Sequence, residues 1–203
     1  MARRPSIRDE DILEAAREVF LAKGIRATTA EVADRARVSE GILFHRFKTK
    51  EGLFRAALNP QLAEPPEVRE LVERVGKGTV ADNLQDACVA QLAVMKVRMP
   101  LIMLSFSNPG PSGLPEHFER GEHPEPMLAK TLAAYVRGEV NLGRLRDVDG
   151  DVFAYTLVGG MIHYVMQGIL RPDTMPLPSS ALYIRGLVDL LLHGASPTPP
   201  PRR

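Results

Sequence analysis

Between Thr28 and Lys50 the chain gathers side chains suited to gripping phosphate: the hydroxyls of Thr28, Thr29 and Ser39 and the cations Arg35, Arg37, Arg46, Lys48 and Lys50. From Arg35 to Lys50 Glu40 is the one carboxylate, so this stretch is strongly positive in a protein of net charge +1. A local excess of this kind neutralises a polyanion's backbone without reading its identity. Other chemistry finds less support. His117, Glu119, Glu122 and His123 are crowded, but Gly121 and the lack of helical spacing argue against a metal site. Asp147-Val148-Asp149-Gly150-Asp151 begins like a calcium loop, yet the sixth residue from Asp147 is Val152 rather than glycine and the twelfth is Val158 rather than glutamate. There is no phosphate-cradling glycine loop, no nucleophile elbow and no credible pair of carboxylates. Neither catalysis nor a metal or cofactor is expected.

The elements that must position these side chains are helical. Ile12, Ala15, Ala16, Val19 and Phe20 share one face of a 3.6-residue repeat that stops at Gly24. Thr28-Thr29-Ala30-Glu31 is a capping box opening a short helix with Val32, Ala33 and Ala36 inward. Ser39 then caps a third helix with Ile42, Leu43 and Phe47 inward, and Thr49 a fourth with Leu53, Phe54, Ala57 and Leu58. Asn59-Pro60 and Pro65-Pro66 mark a domain junction. Beyond it the sequence predicts longer helices over Thr79–Met99, continuing past Pro100 to Phe106, over Pro126–Val140, Asp149–Leu170 and Ser179–His193. Asn108–Pro126 reads as a mobile loop and PTPPPRR as a disordered tail. The expected fold class is all-α, with a domain of short helices over 5–65 (a helix-turn-helix pair at 28–47), a larger helical domain over 66–195, and the tail at 196–203.

Two short helices joined by a tight turn form the geometry that sets a recognition helix into the major groove. Spacing alone does not distinguish that pair from any small bundle. The order of residues does more: Ile12-Leu13-Glu14-Ala15-Ala16, Phe20, Gly24, Thr28-Thr29, Val32-Ala33, Ala36, Val38-Ser39, Gly41, Leu43-Phe44, Phe47 and Lys50-Glu51-Gly52-Leu53. In these positions, over roughly the first sixty residues, the sequence resembles the TetR family of bacterial regulators. The resemblance implies a DNA-binding transcriptional regulator, acting as a homodimer on a palindromic double-stranded operator and answering to a small-molecule effector. It departs from the family at Arg37, where a turn glycine is usual, and at Phe44, which replaces a tyrosine and so loses a phosphate donor. The Gly24–Thr28 loop is one residue shorter than in many relatives.

On this reading Thr28, Thr29 and Lys50 contact phosphates, with Arg46 and Lys48 as weaker candidates and Ser39 at the head of the reading helix. Base edges fall to Glu40, Gly41, Ile42 and His45, although Ile42 suits the core as well. Arg3 and Arg4 are either a minor-groove arm or solvated terminal charges.

The remaining two thirds varies too much within the family for any site residue to be transferred. Along Asp149–Leu170 one face holds Phe153, Leu157, Met161 and Tyr164 and a second holds Val158, Ile162, Val165 and Ile169. A monomer needs one buried face, so the second, with Leu187 and Leu191 of the last helix, is the expected dimer surface. Met95, Met99, Met103 and Phe106, with Tyr135 and Tyr164 as polar handles, are candidates for an effector pocket, against their reading as plain core. His163 reads as a core histidine. Phe153–Leu170 is long enough to raise a membrane span, but Thr156, His163, Gln167 and three glycines dilute it, and burial on nearly all sides explains it better. With a single Cys88 and no apolar leader in MARRPSIRDEDI, a cytoplasmic protein without membrane contact is expected. An all-helical carrier or enzyme for apolar ligands, never touching DNA, is the alternative; salt-dependent DNA binding separates the two.

Overall fold

The computed structural model describes residues 7–58, 64–107, 115, 124–170 and 176–194. The expected minor-groove arm, the His117–His123 cluster, most of the Asn108–Pro126 loop and the PTPPPRR tail lie outside these residues. The described residues are all-helical, and they fall into two compact units, one within Met1–Leu62 and Val97–Glu122, the other within Ala63–Lys96 and His123–Arg203.

In the first unit α1 (Asp9–Lys23), α2 (Thr29–Ala36), α3 (Glu40–Phe47) and α4 (Lys50–Leu58) enclose a core of Ile12, Ala16, Phe20, Val32, Leu43, Leu53 and Phe54. The rings of Phe20 and Phe54 meet edge to face with centroids 4.9 Å apart, which fixes α1 against α4. The predicted capping box forms: Thr28 Oγ1 accepts from Glu31 N at 3.2 Å, and Thr28 N donates to Glu31 Oε2 at 2.9 Å. Lys23 Nζ, 2.6 Å from Glu31, together with the Thr28 N–H, holds that carboxyl below its usual range. At the head of α4, Thr49 Oγ1 accepts from Gly52 N at 2.9 Å. A Cβ on Gly52 would collide with the Phe47 carbonyl, so glycine lets α4 start directly beneath the end of α3.

The second unit contains the single turn α5 (Pro66–Arg69), α7 (Pro124–Asn141), α8 (Gly150–Leu170) and α9 (Ser180–His193). The long helix α6 (Val80–Ser105) runs through both units: Val80–Lys96 belongs to the second, whereas Leu101 and Leu104 pack into the first unit's core. It continues through Pro100 at the cost of one backbone hydrogen bond. Small residues let the helices of the second unit close up. A Cβ on Gly150 would stand 3.0 Å from the Ala133 carbonyl, and one on Gly160 would stand 2.7 Å from Leu187. Tyr183 donates to the Gly160 carbonyl at 2.9 Å, which fastens α9 to α8. Glu139, fully buried, accepts from Gly76 N at 3.1 Å and faces Arg144 Nη1 at 3.3 Å. Arg144 in turn donates to the Gly78 carbonyl at 2.5 Å. Asn83 Nδ2 bonds the Lys77 carbonyl at 2.8 Å and Tyr135 Oη at 3.0 Å, and burial pushes the Tyr135 phenol up to about 12.

Both α6 and α8 are long and apolar enough to cross a membrane by length and composition. In α8 the apolar content has another use, since Phe153, Leu157, Met161 and Tyr164 are buried in the chain's own core. Burial on nearly all sides, however, does not hold: Val152, Tyr155, Gly159, His163 and Leu170 form an exposed stripe.

Candidate nucleic-acid interface

The reading helix is held by its inward side chains. Leu43 is buried, and Ile42 and Phe47 pack half-buried on the same core. That leaves Glu40, Gly41, Phe44, His45 and Lys48 as an exposed face with spacings of one, three or four residues. Ile42 therefore spends much of its surface on the core, the second of its two readings. Phe44, 46% exposed, takes a place on the outward face that the sequence reading had treated only as a lost hydroxyl. An apolar ring there suits a thymine methyl or a sugar.

The turn between α2 and α3 resolves the missing glycine. Arg37 adopts the left-handed conformation, with φ 56° and ψ 42°, so a non-glycine residue bears the strain. Its N–H reaches back to the Asp34 carbonyl at 3.2 Å, and Val38 N caps the Ala33 carbonyl at 2.9 Å. Lys48, closing α3, also has a positive φ of 68°. The two positive-φ residues other than glycine among the described residues thus bracket α3, and both are cations.

The candidate phosphate and base contacts divide into outward and committed groups. Thr28 is exposed at the head of α2 while its oxygen serves the capping box. Thr29 Oγ1 donates to Glu40 Oε2 at 2.7 Å, tying the heads of α2 and α3 together. Ser39 stands at the N-cap of α3 without a side-chain capping bond, which leaves its hydroxyl for another acceptor. Lys48 Nζ donates to the His45 carbonyl at 2.9 Å, and His45 itself is exposed. Lys50 opens α4, half-buried. Arg46 is different: Nη1 lies 2.8 Å from the Ile7 carbonyl and 2.5 Å from Asp9 Oδ1. Its charge is spent holding the start of α1 on α3, so it positions the reading helix. Nothing local in the sequence signals this pairing, because its partners are 37 and 39 residues away.

In the second unit Met95 is buried, Tyr135 bonds Asn83, and Tyr164 donates to the Pro178 carbonyl at 2.8 Å. The Tyr164 ring sits 4.6 Å from that of Tyr183 and 5.3 Å from Lys96 Nζ. Met99 and Met103 fall in the part of α6 that belongs to the first unit, buried and half-buried, and Phe106, just past the end of the helix in the same unit, is exposed. Of the residues expected at the dimer face, two are covered by the chain itself. Val158 and Val165 are buried within the chain, and Ile162, Ile169, Leu187 and Leu191 are half-buried. The outward apolar residues are instead Val152, Tyr155 and Leu170 on α8 and Leu182 and Leu190 on α9. A uniformly apolar helix hides which stripe its own chain covers, and here α8 turns two adjacent stripes inward.

Residues 12–57 match the model of bacterial regulatory proteins of the tetR family. The chain is 30% identical, over 87% of its length and 95% of the relative's, to the uncharacterized HTH-type transcriptional regulator YvkB of Bacillus subtilis (strain 168). Among solved structures it is similar to SmeT, the repressor of the Stenotrophomonas maltophilia multidrug efflux pump SmeDEF, with a TM-score of 0.65 and 17% identity over 96% of this chain and 98% of that one. It is similar also to FadR from Bacillus subtilis in complex with stearoyl-CoA, with a TM-score of 0.63 and 16% identity over 93% of this chain and 100% of that one. At such identities the structural likeness carries the fold alone.

Proposed function

The chain belongs to the TetR family of bacterial regulatory proteins, and from that premise we propose a dimeric cytoplasmic repressor that holds a palindromic operator and leaves it when a small, mostly apolar effector binds. As a member of the family it is a ligand-responsive, DNA-binding transcriptional regulator and not an enzyme. The observation that carries the finer reading is the outward face of α3: Glu40, Gly41, Phe44 and His45 lie together, with the heads of α2 and α4 supplying hydroxyls and cations nearby in sequence. Phosphate contacts orient such a helix and base edges give it specificity. Lys50, Thr28 and Thr29 remain the phosphate candidates, and His45, Gly41 and Phe44 the base readers.

Two copies meet, on this reading, through the exposed stripes of α8 and α9. Tyr155 is 66% exposed, Val152 63% and Leu182 59%, an apolar surface that one chain leaves uncovered. Gly159 and Gly186 add to it, since a Cβ at either would meet nothing in the chain. An exposed glycine inside a helix costs about 1 kcal/mol relative to alanine, a cost that a closely crossing partner helix offsets. That the structurally similar FadR of Bacillus subtilis is in complex with stearoyl-CoA, whose acyl chain is apolar, is in keeping with an apolar effector here. Selecting bound duplexes from a random pool tests the reading as a whole. An enriched palindrome supports a symmetric dimer on DNA; enrichment of a single unpaired half-site, or of nothing, sinks it.

A further inference from the structure

The second unit carries a groove that neither the DNA interface nor the dimer stripes use. It has a volume of 610 Å³, is walled by the head of α6, the loop after α7 and the tail of α9, and has Val80, Val148, Phe153 and Leu192 along its apolar floor. Small-molecule sites commonly run to about 300–1,000 Å³. Its charged and titratable lining is Arg144, Arg146 and His193, with no carboxylate among the lining residues. Arg144 is fixed beforehand by Glu139 and the Gly78 carbonyl. Its Nη1, facing Glu139 at 3.3 Å, is closed off from solvent, while 28% of the side chain stays exposed at the groove. Arg146 is exposed and has no ion-pair partner among the described residues. His193 leans on Asp189 at 2.9 Å. A smaller hollow of 430 Å³ shares Ala81, Leu192 and His193 but is lined also by Leu182 and Gly186 of the dimer stripe and by the Asp189 carboxylate, so it is not part of the groove.

We propose that this groove is a second ligand site, separate from the effector region, and that it takes a small amphipathic anion. The anionic head pairs with Arg146 beside the fixed Arg144, and the apolar body lies on Val148, Phe153 and Leu192. A cation held in place before binding spares the ligand part of the ordering cost, and a charge-assisted bond at the mouth selects an anion over its neutral counterpart. The groove belongs to one unit and needs neither DNA nor a second copy, so the site stands or falls independently of the operator reading.

Decanoate is the probe and decanol its uncharged control, titrated into the free full-length protein while the methyl resonances of Leu145, Val148, Leu191 and Leu192 are followed. Decanoate shifts these methyls in the wild type and in Met99→Trp. Arg146→Glu binds it roughly tenfold more weakly and Arg146→Lys nearly as well as the wild type, while decanol does not discriminate among the three. Arg146 is exposed, so an unchanged thermal transition confirms that Arg146→Glu is folded. Equal decanoate affinity in Arg146→Glu and the wild type, shifts confined to the methyls of Met95 and Met99, or no binding by the wild type overturns the site.

Discussion

Single side chains at the reading head separate into those that feel charge and those that feel sequence. Lys50→Ala should weaken binding to every duplex about equally and lower the salt slope by about one unit, whereas His45→Ala should shift preference at particular base pairs by roughly 1–3 kcal/mol. Binding measured on a matched set of duplexes at several salt concentrations decides both. An unchanged slope removes Lys50 from the backbone contacts, and uniform losses make His45 a positioning residue. Arg37 offers a test of strain: with φ at 56°, replacing it by glycine should stabilise the protein by about 0.5–1 kcal/mol in denaturant unfolding. A loss of stability would mean that the arginine side chain contributes more than its backbone costs. Much of this was legible in the sequence. Thr28 and Glu31 announced their capping box because the partners are three residues apart. The pairing of Arg46 was not legible, because its partners, Ile7 and Asp9, are remote in sequence and a basic run looks the same whether or not it is internally paired. Ile42 was ambiguous because it lies at the margin of an eight-residue helix, where a shift of one position exchanges inside for outside.

Helices of the second unit show where periodicity stops being informative. The lengths and order of α8 and α9 follow from the sequence, but Val158 and Tyr155 are both apolar and only packing tells the buried one from the exposed. The difference predicts opposite failures. Tyr155→Glu places a carboxylate on the outward stripe and should give folded monomers in sedimentation, with a helical circular-dichroism spectrum and weakened operator binding. Val158→Glu places one where the side chain is 4% exposed and should destabilise the fold itself, because an unpaired buried carboxylate must either pay its desolvation or take up a proton. If Tyr155→Glu remains a dimer of normal stability, the two copies meet elsewhere. The Glu31 carboxyl works at the same scale. Its folded pKa is lowered by Lys23 and the Thr28 N–H, so its contribution to the α2 cap is present above the ordinary glutamate pKa and lost as pH falls through the folded value.

At the level of the whole molecule, regulation is a coupling between effector and operator, and coupling is reciprocal. Operator DNA should reduce effector affinity by the same factor by which effector reduces operator affinity; calorimetry of each with and without the other measures both. Met99→Trp, filling space at a position 7% exposed, should abolish release while leaving operator binding within about twofold if that stretch of α6 borders the effector site. Full release by that variant returns the methionines to the core. The passage of α6 through both units bears on modularity. The reading head looks like an N-terminal cassette that ends near residue 62, yet Leu101, 1% exposed, is part of its core, with Leu104 packed beside it. A graft that moves only the first sixty or so residues onto another regulator leaves behind a piece of the interior it depends on. Working hybrids should be those that also transplant the Val97–Ser107 stretch, so the unit of exchange in this protein is discontinuous in sequence.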